Sequence, residues 1–465
     1  MSLETARNIS LEELDKQVLL HPVTSIAEHQ ANGPLIFNRA GGVRMYDNTG
    51  KSYIDGAAAL WCVNVGYGRK RLSEVAKEEM DKIGFYHTFG AASNEPAILL
   101  ADKLVQLLHD HAGCDHIGKI FFGLSGSDAN DTQFKLARYY NNLRGKPNKK
   151  KIISRIGGYH GTSAAAGSLT GIPVYHKAFD LPFDGVLHTS CPNYWKFGEP
   201  NESEEEFTSR MLKDLEDLIL KEGPDTIAGF IAEPIMGTGG VIVPTREYYH
   251  RVQSLLKKHD ILFMVDEVIN GFGRLGSWFG SGFYGIKPDL MSFAKGLTSA
   301  YFPMSAVGVA DHIWQVLADG TPEVGMFAHG FTYSGHPVGA AVGLANIEIM
   351  EEENLIKNAA EVGAYLKQSL IERLGDHPNI GEIRGEGLMI GIEYAAEKGS
   401  KEAPNMSPPA HKQVAIAAQE RGLLTRALPF LQVNNFSPPL TFTKSDADES
   451  IDIFAESVEK VFGKG

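Results

Sequence analysis

The stretch 261–296, ILFMVDEVINGFGRLGSWFGSGFYGIKPDLMSFAKG, most constrains what this chain can fold into. It holds two short apolar runs, each closed by one polar residue. The run 261–265 stops at Asp266, and the run 290–294, with Ser292 inside it, stops at Lys295. Apolar runs of this length between turn residues predict buried parallel strands. In open α/β sheets, ligand-binding residues gather beyond the carboxyl ends of the strands. An acid and an amine are therefore expected in one cleft.

A buried lysine is costly while charged, so desolvation lowers its pKa and leaves a neutral amine that attacks carbonyls. Pyridoxal phosphate offers such a carbonyl, and its ring nitrogen needs an acidic partner. The pair by itself is balanced between that chemistry and a plainer role, Asp266 opening a turn and Lys295 capping a strand end. The neighbouring letters decide. D-E-V-I-N-G-F-G-R at 266–274, followed by P-D-L-M-S-F-A-K-G at 288–296, resembles the class III aminotransferases, and the likeness extends over about residues 61–439. The resemblance implies a pyridoxal-phosphate enzyme of fold type I, with a large domain built on a mostly parallel sheet and a smaller α+β domain. It implies Lys295 as the residue that takes up the cofactor's aldehyde, Asp266 as partner of the ring nitrogen, and Val268 as a further cofactor contact. Within the family the chain is most similar to the omega-amino-acid or amine:pyruvate aminotransferases.

The rest of the pattern supports an α/β chain. Strands are expected at KIFFGL (119–124), KIIS (151–154), TIAGFIAEPI (226–235) and SAVGVA (305–310). Helices are expected at 128–143, with Leu136, Ala137, Tyr140 and Leu143 on one face, and at 247–259, with Val252, Leu255 and Leu256 on one stripe. Such alternation predicts a mostly parallel sheet with helices on both faces. Residues 43–56 read as a hairpin turning at Asn48-Thr49-Gly50. Beyond residue 340 the texture changes. A long helical stretch (339–374) precedes a strand pair (380–394), a loop (397–409), a helix ending at Gly422, strands LLTRAL and PLTFT, and a final helix. The charge run NESEEEF (201–207) reads as a solvated helix start. The expected division is 1–60 as an N-terminal segment of the small domain, 61–338 as the large cofactor-binding domain, and 339–465 as the C-terminal small domain.

Ser125, Gly126 and Ser127, in G-L-S-G-S-D-A-N at 123–130, lie between a strand and a helix, where backbone N–H groups favour an anion. Serine and glycine are also ordinary caps; the company of Asp266 and Lys295 turns the reading towards phosphate. Asp128 stands where the family usually has Glu, and is expected to aim away from the phosphate and serve the helix start. In G-G-Y-H-G at 157–161, Tyr159 can stack on a flat ring and touch substrate, with His160 beside it as a structural neighbour. By the resemblance, Glu233 lies near the cofactor's edge. Thr332, in G-F-T-Y-S-G-H-P at 330–337, is implied to complete the partner subunit's site, which makes a homodimer with shared active sites and leaves a tetramer open.

For substrate, the resemblance nominates Trp61, in the small-residue-rich segment 56–69, at the entrance; a core aromatic is the other reading. Phe85, Tyr86 and Phe89 add aromatic density suited to apolar amines. Thr238, in E-P-I-M-G-T-G-G at 233–240, stands where relatives acting on 4-aminobutyrate or ornithine are expected to carry a second Glu. Arg426 matches the family's mobile, carboxylate-binding arginine, although the run from it to Pro438-Pro439 is longer than usual and lacks Gly-Asp. Arg384 is the alternative, read as structural.

The net charge of −13 argues against nucleic acid and anionic membranes as partners. No apolar run approaches the roughly 18 residues of a membrane span. Cys62, Cys114 and Cys191 are scattered, without metal-ligand spacing, and read as buried thiols in a reducing compartment; no metal is expected. The opening MSLETARNISLEELDKQ has no apolar core, so a cytoplasmic protein is expected. The expected reaction is ping-pong transfer of an amino group from an omega-amino acid or primary amine to pyruvate or a similar oxo acid. Alternatives are a decarboxylase or aminomutase on the same fold, or a non-catalytic scaffold, which should have lost Lys295 or Asp266.

Overall fold

The computed structural model describes residues 9–464; residues 1–8, which begin the polar opening segment, and residue 465 lie outside the described residues. The central sheet has the spatial order Ile117–Gly123, Ser305–Ala310, Leu290–Phe293, Leu262–Asp266, Ile227–Ala232, Lys151–Arg155, Val186–Thr189. All strands run parallel except Ser305–Ala310, which is antiparallel to both neighbours. The carboxyl ends of the parallel strands therefore share one rim.

Alternation along each strand sends successive residues to opposite faces. Phe230 and Phe263 pack with Phe207, Met211, Tyr249 and Val252 from the helices Glu204–Glu222 and Tyr248–Lys258. Their neighbours Ile231 and Met264 pack instead with Leu136, Ala137, Ile313 and Leu317 from Gly126–Leu143 and Asp311–Val324. Both faces are covered, which explains why these strands read as unbroken apolar runs. Each fully buried phenylalanine contributes about 1.5–3 kcal/mol relative to an exposed one.

Two four-stranded sheets flank this core. One joins Phe37–Gly41, Arg44–Asp47 and Ser52–Asp55 to Leu423–Leu424, which runs parallel to Ser52–Asp55. Lys51 Nζ donates to the carbonyl of Gln419, 368 residues away, at 3.2 Å. The other sheet has the order Ile380–Glu386, Met389–Tyr394, Val433–Phe436, Arg426–Ala427. Among the described residues, no helix is long and apolar enough to cross a membrane.

The structure corrects three local expectations. The strand expected over 226–235 ends at Ala232, because Pro234 has no N–H for a ladder. The helical stretch 339–374 is two helices, Pro337–Glu352 and Leu355–Leu374, broken where Asn354 takes φ 52, a conformation asparagine tolerates better than most residues. PLTFT is not a strand; Val433–Phe436 pairs in its place. Two asparagines hid that strand. Asn434 Nδ2 donates to the His411 carbonyl at 3.0 Å and Asn435 Nδ2 to Ser437 Oγ at 2.9 Å, so both amide nitrogens are partnered inside, while Asn435 Oδ1 has no partner.

Candidate active site

Five chain crossings deliver polar residues to the shared rim. Asp266 is the last residue of its strand, and Glu233 follows the end of Ile227–Ala232 directly. Lys295 opens the short turn Lys295–Leu297 with φ 46, a left-handed conformation that costs a lysine energy and is typical of functional sites. Tyr159 and His160 follow Lys151–Arg155, and Ser125 follows Ile117–Gly123. The expected Ser125, Gly126, Ser127, Tyr159, His160, Glu233, Asp266, Val268 and Lys295 line one cleft. Asn130, Gly161 and Ile269 line it too, and the sequence reading missed them.

Asp266 is held from three directions. Its Oδ2 accepts from Asn130 Nδ2 at 2.7 Å and from His160 Nδ1 at 2.9 Å, and its Oδ1 accepts from the Val268 N–H at 3.0 Å. Gln133 Nε2 in turn donates to Asn130 Oδ1 at 2.9 Å. An asparagine inside a helix is unfavourable by propensity, and this was the signal that could have found Asn130. The Nε2 of His160 is buried with no partner.

Burial lowers the pKa of Lys295, and Arg426 adds to that; Cys62, Asp266 and Glu233 oppose it. Burial likewise raises the pKa of Glu233, whose carboxylate accepts from the N–H of Tyr159 at 2.9 Å and of Gly237 at 2.8 Å. Glu233 thus fixes two loops. Burial pushes the Tyr159 phenol up to about 12, so it stays protonated at neutral pH. Of the three cysteines, Cys114 and Cys191 are buried, whereas Cys62 is half-buried beside Lys295, a departure from the expectation of three buried thiols. Burial raises the pKa of Cys62 as well.

Ser125 caps the helix Gly126–Leu143, and its Oγ accepts from the Asp128 N–H. Asp128 accepts from the N–H groups of Leu124 and Ser125 and from Ser305 Oγ, so it turns away from the cleft and serves the helix start, as expected of it. The Ser125 N–H is consequently occupied. The first-turn N–H groups of Gly126 and Ser127 have no intrahelical partners and remain for an anion. A Cβ on Gly126 would come within 2.9 Å of Val268 Cγ1, and one on Gly161 within 2.4 Å of Ser127 Oγ. Both glycines permit close approach.

This donor set fits pyridoxal phosphate: helix N–H groups for the phosphate, a carboxylate for the ring N–H, an amine for the aldehyde, and Tyr159 and Val268 for the ring. The unpartnered Nε2 of His160 leaves one further polar atom at the cleft wall.

Two expected substrate residues meet beside the cleft. Trp61 is 3% exposed, with φ 57 and its indole N–H unpartnered, and it belongs to a buried apolar cluster. The Arg426 guanidinium covers its ring, 4.3 Å from the centroid, and the burial of Trp61 in that cluster fits the core reading. Tyr159 and Tyr175 also lie near Arg426, which among the described residues forms no ion pair; burial lowers its pKa. Arg384 is engaged by Glu382 and Glu393 at 2.6 and 2.7 Å and by the Gly240 and Val241 carbonyls. Thr238 is buried.

Within one chain the structure does not bring Thr332 into the cleft. It is exposed, next to Tyr333. Phe85, Tyr86 and Phe89 are also exposed, at 38%, 53% and 51%, rather than lining a pocket.

Comparison with known proteins agrees with this geometry. A family model described as aminotransferase class-III matches residues 25–458. The diaminobutyrate–2-oxoglutarate transaminase of Halomonas elongata is 44% identical over 97% of this chain and 96% of its own length. The gamma-aminobutyrate transaminase 1, mitochondrial, of Oryza sativa subsp. indica is 43% identical over 95% of this chain and 84% of its own. The solved omega transaminase from Pseudomonas jessenii, in complex with PMP, superposes with TM-score 0.94 at 42% identity, covering 98% of this chain and 100% of that one.

Proposed function

The chain belongs to the class III aminotransferases, which use pyridoxal phosphate, and on that premise we propose that its donor is a terminal amine and its acceptor a 2-oxo acid such as pyruvate. The donor class comprises omega-amino acids and primary amines. The observation that carries this reading is Arg426, a guanidinium beside the cleft with no acidic partner among the described residues. A bidentate guanidinium suits a carboxylate. Thr238 cannot neutralise it, so the site is ready for an oxo acid and, in the other half-reaction, for a donor with or without a distant carboxylate. Two relatives are named for amino acids that carry a terminal amine, diaminobutyrate and gamma-aminobutyrate.

When bound, pyridoxal phosphate supplies an aldehyde and an electron-withdrawing ring. Lys295 would hold the aldehyde carbon until an amine displaces it, and its Nζ would then take and return a proton, as a general base and acid. Asp266, held by Asn130, His160 and the Val268 N–H, would accept from the ring N–H. Gly126 and Ser127 would donate to the phosphate, and Tyr159 would cover the ring. The two half-reactions alternate at one site, the ping-pong order general to the family.

We further assign a cytoplasmic homodimer with shared sites. Phe85 lies 5.4 Å from Tyr333 and 5.3 Å from His336 between ring centroids, so the aromatic segment and the Thr332 loop form one exposed patch. Contiguous apolar patches of this kind mark interaction surfaces. Free thiols suit a reducing compartment.

The test is an absorbance spectrum of the purified protein with single amines. The visible absorption band expected of the lysine-bound cofactor should bleach with beta-alanine, putrescine or 1-phenylethylamine and return with pyruvate. Bleaching by 2-amino acids alone would sink the terminal-amine reading.

A further inference from the structure

Outside the cleft, Asp15, His21 and His29 bring three metal-ligating side chains together, their ligand atoms all within 4.8 Å of one another. Asp15 lies on the helix Leu11–Val18, His29 on the helix Ile26–Asn32, and His21 in the connection between them. His21 Nε2 is 2.9 Å from Asp15 Oδ1 and 3.0 Å from Oδ2, and His29 Nε2 is 2.8 Å from the same Oδ1. The two imidazoles stand 4.3 Å apart between centroids, tilted by 43°. The His29 side chain is 8% exposed and that of Asp15 16%. Lys16, next to Asp15 in sequence, is drawn off to Glu13 at 2.5 Å.

Neither helix has a buried residue of its own. Helices in proteins owe most of their stability to packing an apolar face, and within the single chain that source is missing here. The polar junction at Asp15, with a bond from Gln30 Nε2 to the Lys16 carbonyl at 2.9 Å, links one helix to the other.

We propose that Asp15, His21 and His29 bind a divalent transition-metal ion of the zinc type, which staples the two N-terminal helices to each other. Two imidazole nitrogens and one carboxylate are a zinc donor set, with a fourth position open to water. Ligand atoms on a tetrahedral ion at about 2.0–2.1 Å sit roughly 3.3 Å apart. The two His–Asp distances, 2.9 and 2.8 Å, need lengthen by only about half an ångström to reach that spacing. Magnesium and calcium prefer sites made of oxygen alone and are not expected here.

The experiment uses the untagged holoenzyme, stripped of metal with a chelator and titrated with zinc by equilibrium dialysis, beside His29→Ala, Asp15→Asn and His21→Gln. The expected result is one tight zinc ion per chain, weakened at least about 10-fold in each variant, with a rise in melting temperature on zinc addition that only the unsubstituted protein shows. Magnesium should give neither effect. Amino transfer should be the same in all four proteins, because the cluster shares no residue with the cleft. His21 is the most exposed ligand, at 28%, so His21→Gln is the variant least able to disturb the fold. Equal zinc affinity in the unsubstituted protein and His21→Gln, or no saturable binding, would overturn the proposal and leave a hydrogen-bonded cluster.

Discussion

The guanidinium carbon of Arg426 lies 4.3 Å above the ring of Trp61. A cation on an aromatic face is held by about 0.5–2 kcal/mol, enough to position the side chain and too little to lock it. Arg426→Leu should therefore raise the KM for pyruvate roughly 10–100-fold, the worth of a charge-assisted hydrogen bond. Bleaching of the bound cofactor by 1-phenylethylamine, which has no carboxylate, should change far less. An unchanged pyruvate KM would remove Arg426 from carboxylate binding.

Lys295→Ala should lower kcat by at least about 10³-fold, since it removes both the covalent anchor and the proton carrier. The phosphate and ring contacts remain, so the variant should still retain cofactor on gel filtration. Retained turnover would refute the role.

Gly126→Ala should loosen cofactor binding, because the new methyl lands 2.9 Å from Val268 Cγ1 and pushes the cleft wall. Val268→Ala in the same chain should restore much of the affinity. Dissociation constants from cofactor fluorescence would decide it: no rescue would place the clash elsewhere.

Asn130→Ala removes one donor to Asp266 and frees Gln133. The loss of about 1–3 kcal/mol for a charged hydrogen bond should appear as a drop in kcat, with little change in KM for the amine. A change in KM alone would assign Asn130 to substrate binding instead.

Stability should fall in acid over a defined window. Burial lowers His188, His329 and His411 from 6.5 to about 4. Below 6.5 the unfolded chain binds protons that the folded one refuses, so stability is full above about 6.5 and is lost as pH falls towards about 4. Urea unfolding across this range should show uptake of up to about three protons per chain from these groups. His411→Gln should flatten the slope by about one of them.

Much of this site could be read from the letters because its chemistry sits at strand ends. Asp266, Lys295 and Glu233 each close an apolar run, and such runs are plain in sequence. Asn130 was hidden because its partner lies 136 residues away, and only folding reveals what a lone helical asparagine satisfies. Val433–Phe436 was missed for a related reason. Asn434 and Asn435 look like turn residues until their side chains are seen bonded inside the molecule. Arg426 was found, but its bed on Trp61 was not, because cation–aromatic contact leaves no spacing to read.

The parallel pairing of Ser52–Asp55 with Leu423–Leu424 has a consequence for how the protein is made. Ribosomes emit the first strand early and its neighbour near the end, on the order of tens of seconds later at about 5–20 residues per second. Throughout that interval the hairpin carries an open edge, of the kind that recruits foreign strands. Chaperone cover during synthesis would matter most there. A message cut short before codon 423 would leave that edge permanently bare, so completing the sheet certifies that translation passed that codon.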